Sequence, residues 1–288
     1  MVITGVSFLN TLITSATSPH IRRSRDAVFT SYITIGIIYH DTAFATEYNI
    51  VYMKVLVIPD VHLKPELFDR ADELLKADIA ERAVCLMDLA DDFGQEYNIL
   101  LYERTYDRAI SFQKDHPDTL WCYGNHDLSY VWNMMETGYS VFAISTVASR
   151  LNKLKSELPS LDSIAFVHRI DNVLFAHGGL TEDFVNTHVD ESKRGDPDRV
   201  IRSVNRLTPE IMWSSASPLW FRPQYSDKKM YGEGSFTQAV GHTPVPGVYQ
   251  RGNVISCDVF STNPDGTPIG TREFTVIDTL TGEFVTIK

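Results

Sequence analysis

The sequence predicts an α/β fold in which a parallel sheet with crossover helices packs against a second sheet. Three observations predict it. From Met53 onward, short apolar runs of strand length alternate with stretches of helical periodicity; each run ends in polar residues able to bind a ligand or move a proton; and the chain closes on several β-rich segments. Repeated strand–helix units pair their strands in parallel and bring the following polar loops to one edge of the sheet.

The elements follow in order. Lys54–Pro59 is a strand ending at Asp60, and Pro65–Ala80 carries Leu67, Ala71, Leu74 and Leu75 at helical spacing. Arg82–Met87 is a second strand, ending at Asp88, and Glu96–His116 a long amphipathic helix. Thr119–Tyr123 is a third strand, after which Gly124 lets the backbone turn and presents Asn125, His126 and Asp127 together. Ser140–Leu158 is helical and closed by Pro159. Ser163–Ile170 and Asn172–Ala176 are strands, the second running into His177-Gly178-Gly179. Residues 180–235 hold helix starts at Thr181 and Thr208 and read as a variable, substrate-facing insert. Gln238–Val240 leads into Gly241-His242-Thr243-Pro244. Val254–Val259, Glu273–Asp278 and Glu283–Ile287 are strands, the last two joined as a hairpin around Thr281-Gly282. A second sheet packed on the first is the expected result.

Composition narrows the function. A content of 43% apolar and 22% charged residues is that of a globular chain with a sizeable core. The formal net charge of -11 repels nucleic acid and anionic membranes, so an anionic substrate has to be met by local cations or metal. No stretch approaches the ~20 apolar residues that cross a bilayer. Cys85, Cys122 and Cys257 lie in apolar strands without a C-x-x-C pair and read as buried free thiols, which fits a cytoplasmic location. Residues 1–52 stand apart. Their three arginines (22, 23 and 25) balance Asp26, Asp41 and Glu47, so all of the net charge belongs to residues 53–288. Tyr32–Tyr39 is β-prone, yet no pattern builds it into the later units. The favoured reading is a poorly ordered extension, with Met53 as the working start of a folded domain spanning 53–288.

Five strand-end motifs then line up: Asp60-Val61-His62, Asp88-Leu89-Ala90-Asp91, Gly124-Asn125-His126-Asp127, His177-Gly178-Gly179 and Gly241-His242-Thr243. Each alone is weak, but their shared context makes one site. Carboxylate, imidazole and amide oxygen without thiolate suit Mn²⁺, Fe²⁺ or Zn²⁺. One carboxylate can bridge two such ions, and an ion pair can activate water and stabilise both oxygens of an in-line phosphoryl displacement.

The series resembles the calcineurin-like metallophosphoesterase superfamily over residues 53–288. The resemblance implies a two-sheet α/β/β/α sandwich and two divalent metal ions, Mn²⁺ first with Fe²⁺ and Zn²⁺ as alternatives. By motif, Asp60 and His62 resemble ligands of the first ion, Asp88 the bridging carboxylate, and Asn125, His177 and His242 ligands of the second. His126 would be the general acid and Asp91 the residue that orients it.

Many phosphodiesterase members end in Gly-His-x-His; here the last position is Pro244 and that ligand is absent. Gly-His-Thr-Pro is similar to the phosphoprotein phosphatases and the bacterial diadenosine tetraphosphate hydrolases, as is the stretch Cys257–Gly270. Two departures stand out in the second motif. Met87 replaces a glycine, and Asp92 replaces the arginine that clamps phosphate, a bidentate role no carboxylate fills. Asp92 adds negative charge, which would disfavour a dianionic monoester and favour a diester or anhydride. Arg222 resembles the branch's other phosphate-binding arginine, or else is a surface arginine anchored by Trp220 and Phe221. His168 could lie near the mouth of the site. Trp213, Trp220 and Tyr225 could stack an aromatic leaving group or form local core.

The expected function is a metal-dependent phosphohydrolase of phosphoprotein-phosphatase type. The alternatives are a phosphodiesterase or dinucleoside polyphosphate hydrolase, and a catalytically silent binding module. Its partner would be a phosphorylated small molecule, nucleotide or phosphoprotein, with no membrane and no stable nucleic-acid binding.

Overall fold

In the computed structural model, the structure describes residues 53–288 and, ahead of them, the backbone of two strands, Tyr32–Tyr39 (β1) and Thr42–Asn49 (β2). These two pair as an antiparallel ribbon, Tyr32 opposite Asn49. The rest of the expected extension, 1–52, lies outside the described residues.

Residues 53–288 form two sheets. The first is built on Lys54–Ile58 (β3), Arg82–Cys85 (β4), Leu120–Cys122 (β5) and Ile164–Ala165 (β6), parallel neighbours in that order. The crossovers are Glu66–Lys76 (α1), Ile99–Asp115 (α2) and, before β6, Asn125–Trp132 (α3) and Ile144–Ser156 (α4). The second sheet takes Val167–Ile170 (β7), Val173–Ala176 (β8), Thr237–Val240 (β9), Tyr249–Arg251 (β10) and Val254–Ser256 (β11), in the order β10-β11-β9-β8-β7, with β8, β9 and β11 parallel. Its helices are Glu182–His188 (α5), Pro197–Val204 (α6) and Pro209–Met212 (α7).

Alternation along β3 explains the layering. Leu56 and Ile58 face α1 and α2, packing with Phe68, Tyr102, Tyr106 and Trp121, whereas Val55 and Val57 face the second sheet and meet Val173, Phe175, Ala239 and Ile255. On the far side, Leu174 and Ala176 pack under Phe184 of α5 and Val200 of α6. The result is the expected α/β/β/α sandwich. The three cysteines are free and buried, with burial pushing each thiol pKa upward.

Three features depart from the sequence expectation. Ser163–Ile170 is not one strand: the chain leaves the first sheet after Ala165 and enters the second at Val167. Asn205 pins this crossover, its Oδ1 accepting from Phe166 N and Val167 N (3.2 and 3.0 Å) and its Nδ2 donating to Val167 O (2.9 Å). A continuous apolar run carries no mark of a change of sheet. The C-terminal hairpin, Phe274–Asp278 (β12) and Phe284–Ile287 (β13), returns to the edge of the first sheet, β12 antiparallel to β3. Finally, α3 begins directly on the Asn125 motif, where the expected strand end had no helix.

His168 is part of the seam between the sheets, not of a cavity mouth. It is buried on β7, and its Nε2 donates to the Trp121 carbonyl on β5 at 2.9 Å. Burial pushes its pKa down to about 4 from 6.5. The folded state therefore binds fewer protons than the unfolded chain between those values. This contribution is full above pH 6.5 and is lost as the pH falls toward 4, on the order of 3 kcal/mol. Replacing His168→Gln should flatten the decline in thermal stability across pH 6.5 to 4 relative to wild type; an unaltered decline in the variant would show that His168 does not drive it.

Candidate active site

The five motifs emerge from the carboxyl ends of parallel strands: Asp60 and His62 after β3, Asp88 and Asp91 after β4, Asn125 and His126 after β5, His177 after β8 and His242 after β9. The turns that follow are tight. His62, Asp88, Asp91 and His242 sit at φ of 42°, 43°, 62° and 63°, and Met87, at the position of the expected glycine, at 59°. Left-handed backbone at non-glycine residues costs roughly 1–2 kcal/mol each, tolerated here because the surrounding structure over-determines it. Gly124 and Gly241 are required for another reason. A Cβ on Gly124 would stand 2.1 Å from Asp88 Oδ1, and one on Gly241 1.9 Å from Asp60 Oδ1.

Two groups of side chains that could hold a metal ion share Asp88. His62, Asp88 and His126 form one, and Asp88, His177 and His242 the other, each with its donor atoms within 4.8 Å of one another. In the second, His177 Nδ1 donates to the Leu86 carbonyl (2.8 Å), which leaves Nε2 facing Asn125 Oδ1 (2.9 Å), His242 Nδ1 (3.1 Å) and Asp88 Oδ2 (3.1 Å). The amide of Asn125 is oriented by Glu136 Oε2, which accepts from its Nδ2 at 2.6 Å. With its Nδ1 proton used, a neutral His177 brings an acceptor to a group of acceptors. Such a group demands a cation, either a proton or a metal. Burial works against a proton on His177, yet Asp88 and Asp60 push its pKa up to about 9. Burial likewise works against an anionic Asp88, but His177 and His126 hold its carboxyl well below the usual range.

Asp60 is wholly buried; its Oδ2 accepts from His242 N at 2.7 Å, while its Oδ1 has no partner. Nε2 of buried His242 has none either. Orphaned buried acceptors are costly unless something binds them. The oxygen and nitrogen donor set, free of thiolate, fits divalent metal ions.

Asp91 organises the opposite wall. Its backbone carbonyl accepts from His62 Nδ1 (2.8 Å), so His62 Nε2 points toward Asp88 Oδ2 at 3.9 Å. Its Oδ2 lies 2.9 Å from His126 Nδ1, and its Oδ1 accepts from Tyr102 (2.7 Å) and Tyr130. His126 Nε2 remains free of close partners, with Glu136 Oε2 at 3.9 Å. Burial opposes charge on His126, but Asp88, Asp91 and Glu136 outweigh it and push its pKa up to about 10.

These residues open onto a cavity of about 190 Å³ lined by His62, Asp88, Asp91, His126, His242 and Arg222, among others. Arg222 Nη1 donates to His242 O and to Thr243 Oγ1 (3.2 Å), which ties the guanidinium to the cavity wall. Trp213, Trp220 and His242 form a run of edge-to-face rings with centroids 5.0 and 5.3 Å apart, so the two tryptophans are packed wall; Tyr225 is exposed.

Two sequence expectations change. Asp92 is not an uncompensated charge: Lys64 Nζ pairs with its Oδ2 at 2.8 Å, and Thr262 Oγ1 donates to the same oxygen at 3.1 Å. Asp127 is not presented with Asn125 and His126. Successive residues on a helix point about 100° apart, and Asp127 is buried as the acceptor of Leu89 N and Tyr106 OH. The sequence reading missed Glu136 and Lys64, since no strand-end pattern marks them.

The sequence model of the calcineurin-like phosphoesterase family matches residues 53–265. Among solved structures, the chain is similar to a cold-active protein-tyrosine phosphatase of a psychrophilic Shewanella species, with 18% identity, a TM-score of 0.49, and 89% of this chain and 91% of that one covered. It is also similar to a protein serine/threonine phosphatase from Saccharomyces cerevisiae with similarity to human phosphatase PP5, at 15% identity, TM-score 0.45, and 82% and 80% coverage. A metallophosphoesterase from Sphaerobacter thermophilus follows at 15% identity, TM-score 0.40, and 83% and 89% coverage. At these scores the structural likenesses carry no argument of their own. No curated protein sequence matches. By its family match across most of its length, the chain belongs to the calcineurin-like phosphoesterase family and is a metal-dependent phosphoester hydrolase.

Proposed function

We propose that residues 53–288 form a two-metal phosphatase acting on phosphate monoesters, of phosphoprotein-phosphatase type. The observation that carries this reading is the pair of ligand clusters sharing Asp88, opening on one cavity with the His126–Asp91 pair and Arg222. Asp60 and His62 would hold the first ion, Asn125, His177 and His242 the second, and Asp88 both. Bound there, the ions supply the charge that activates water and stabilises the phosphoryl group as it transfers. Mn²⁺ suits this mixed oxygen and nitrogen set.

The chain's own residues do the rest. His126, held by Asp91 at Nδ1, presents Nε2 to the leaving oxygen and gives it a proton. Arg222 retains guanidinium donors for the phosphoryl oxygens after its bonds to His242 O and Thr243. Monoesters are favoured because Lys64 cancels the charge of Asp92, which removes the electrostatic reason for turning a dianion away. Phosphorylated small molecules, nucleotides and phosphoproteins all present such a group. Three buried free thiols support a reducing, cytoplasmic setting. No helix among the described residues is long and apolar enough to cross a membrane.

Replacing His126→Asn should lower turnover of a substrate with a poor leaving group by ~10²-fold or more, with metal content by elemental analysis unaltered. Unchanged turnover would remove His126 from the mechanism. Arg222→Ala should reduce kcat/KM for a monoester roughly 10–100-fold, the worth of one charged hydrogen bond. The reaction type is tested with Mn²⁺-loaded protein on an aryl phosphate monoester, an aryl diester and a dinucleoside polyphosphate side by side. The monoester should be turned over fastest; preference for the diester or the anhydride would replace this reading with the phosphodiesterase or polyphosphate hydrolase.

A further inference from the structure

For the first ion of the reading above, on the His62 side, Pro244 offers no side-chain ligand. The neighbouring strand end brings one. Asp258 lies two residues beyond β11, and backbone bonds from Cys257 N to Val240 O (2.8 Å) and from Val245 N to Asp258 O (2.8 Å) lay its segment directly alongside that turn. Asp258 is 1% exposed and lines the same cavity as His62, Asp88 and Pro244.

Its carboxylate is poorly compensated by protein alone. The only side-chain donor to it among the described residues is Ser261 Oγ, 2.8 and 2.9 Å from its two oxygens, and a hydroxyl has one proton to give. Asp60, wholly buried, has an oxygen with no partner at all, and Asp88 meets two imidazoles and, at Oδ1, the backbone N–H of His126 (2.9 Å). Among the described residues, none of these three buried carboxylates has a lysine or arginine partner; Lys64, the nearest in sequence, is committed to Asp92. Buried carboxylates gathered without lysine or arginine partners are a metal's surroundings.

We propose that Asp258 is a carboxylate ligand of the first divalent ion, delivered by the strand end beside Pro244. The first ion then faces three carboxylates and one imidazole, Asp60, Asp88, Asp258 and His62. Such an oxygen-rich set selects harder ions such as Mn²⁺ over Zn²⁺.

The test uses the full chain, stripped with a chelator and titrated with Mn²⁺ by calorimetry, with bound metal counted by elemental analysis. Wild type should bind two ions. Asp258→Asn should keep one at wild-type affinity and bind the other at least ~10-fold more weakly. In the metal-free state the same variant should melt above wild type, because a buried anion is removed, and gain less from Mn²⁺. A purely structural aspartate would do the opposite and lower the metal-free melting temperature. Two ions bound at wild-type affinity by Asp258→Asn would overturn the proposal and leave the two-metal reading intact; fewer than two ions in wild type would overturn both. Should the variant not fold, a crystal structure of wild type with Mn²⁺, located by anomalous scattering, decides. An Asp258 oxygen about 2.0–2.4 Å from the ion beside His62 is expected, and one beyond about 3.5 Å would refute it.

Discussion

The interaction on which the rest depends is the meeting of hydrogen-bond acceptors at Asp88. Asn125 Oδ1, His242 Nδ1 and Asp88 Oδ2 crowd within about a hydrogen-bond length of His177 Nε2, more acceptors than the imidazoles have protons to serve. Only positive charge makes that arrangement favourable. The surrounding structure is arranged to keep it so. Leu86 O takes the Nδ1 proton of His177, Glu136 turns the Asn125 amide, and the two flanking glycines leave room for the carboxylates of Asp88 and Asp60.

The scaffold supplies rigidity where the turns are strained. Six non-glycine residues at these turns, His62, Leu63, Met87, Asp88, Asp91 and His242, adopt left-handed backbone. They persist because each follows a strand buried on both faces, with Val55, Leu56, Val57 and Ile58 of β3 all fully buried. Asp91 ties two histidines of the site together. One residue fixes His62 through its carbonyl and His126 through its carboxylate, and its remaining oxygen is anchored by two tyrosines. Two imidazoles aligned by one residue cannot shift independently.

Charge balance separates this site from a simple reading of its motifs. Asp92 stands where the motif resemblance leads to the expectation of arginine, and the local sequence makes it an electrostatic liability; Lys64, 28 residues earlier, neutralises it. Asp127 shows the reverse. Adjacent to two site residues in sequence, it faces the core, where burial pushes its pKa up to about 7 and Tyr106 and Leu89 occupy its oxygens.

The sequence by itself determined the sandwich class, the succession of strands and helices, and the carboxylate, imidazole and amide residues placed at the strand ends, because periodicity and a polar break after an apolar run are local properties of the chain. It could not show that the run through Phe166 changes sheets, since the apolar pattern suits either sheet. It could not show that α3 turns Asp127 inward, or that the C-terminal hairpin joins β3. Nor could it bring Lys64 to Asp92, Glu136 to Asn125, or Asp258 alongside Pro244. Those neighbours are made by strand order, helix rotation and backbone pairing between distant segments, and only the tertiary structure decides them.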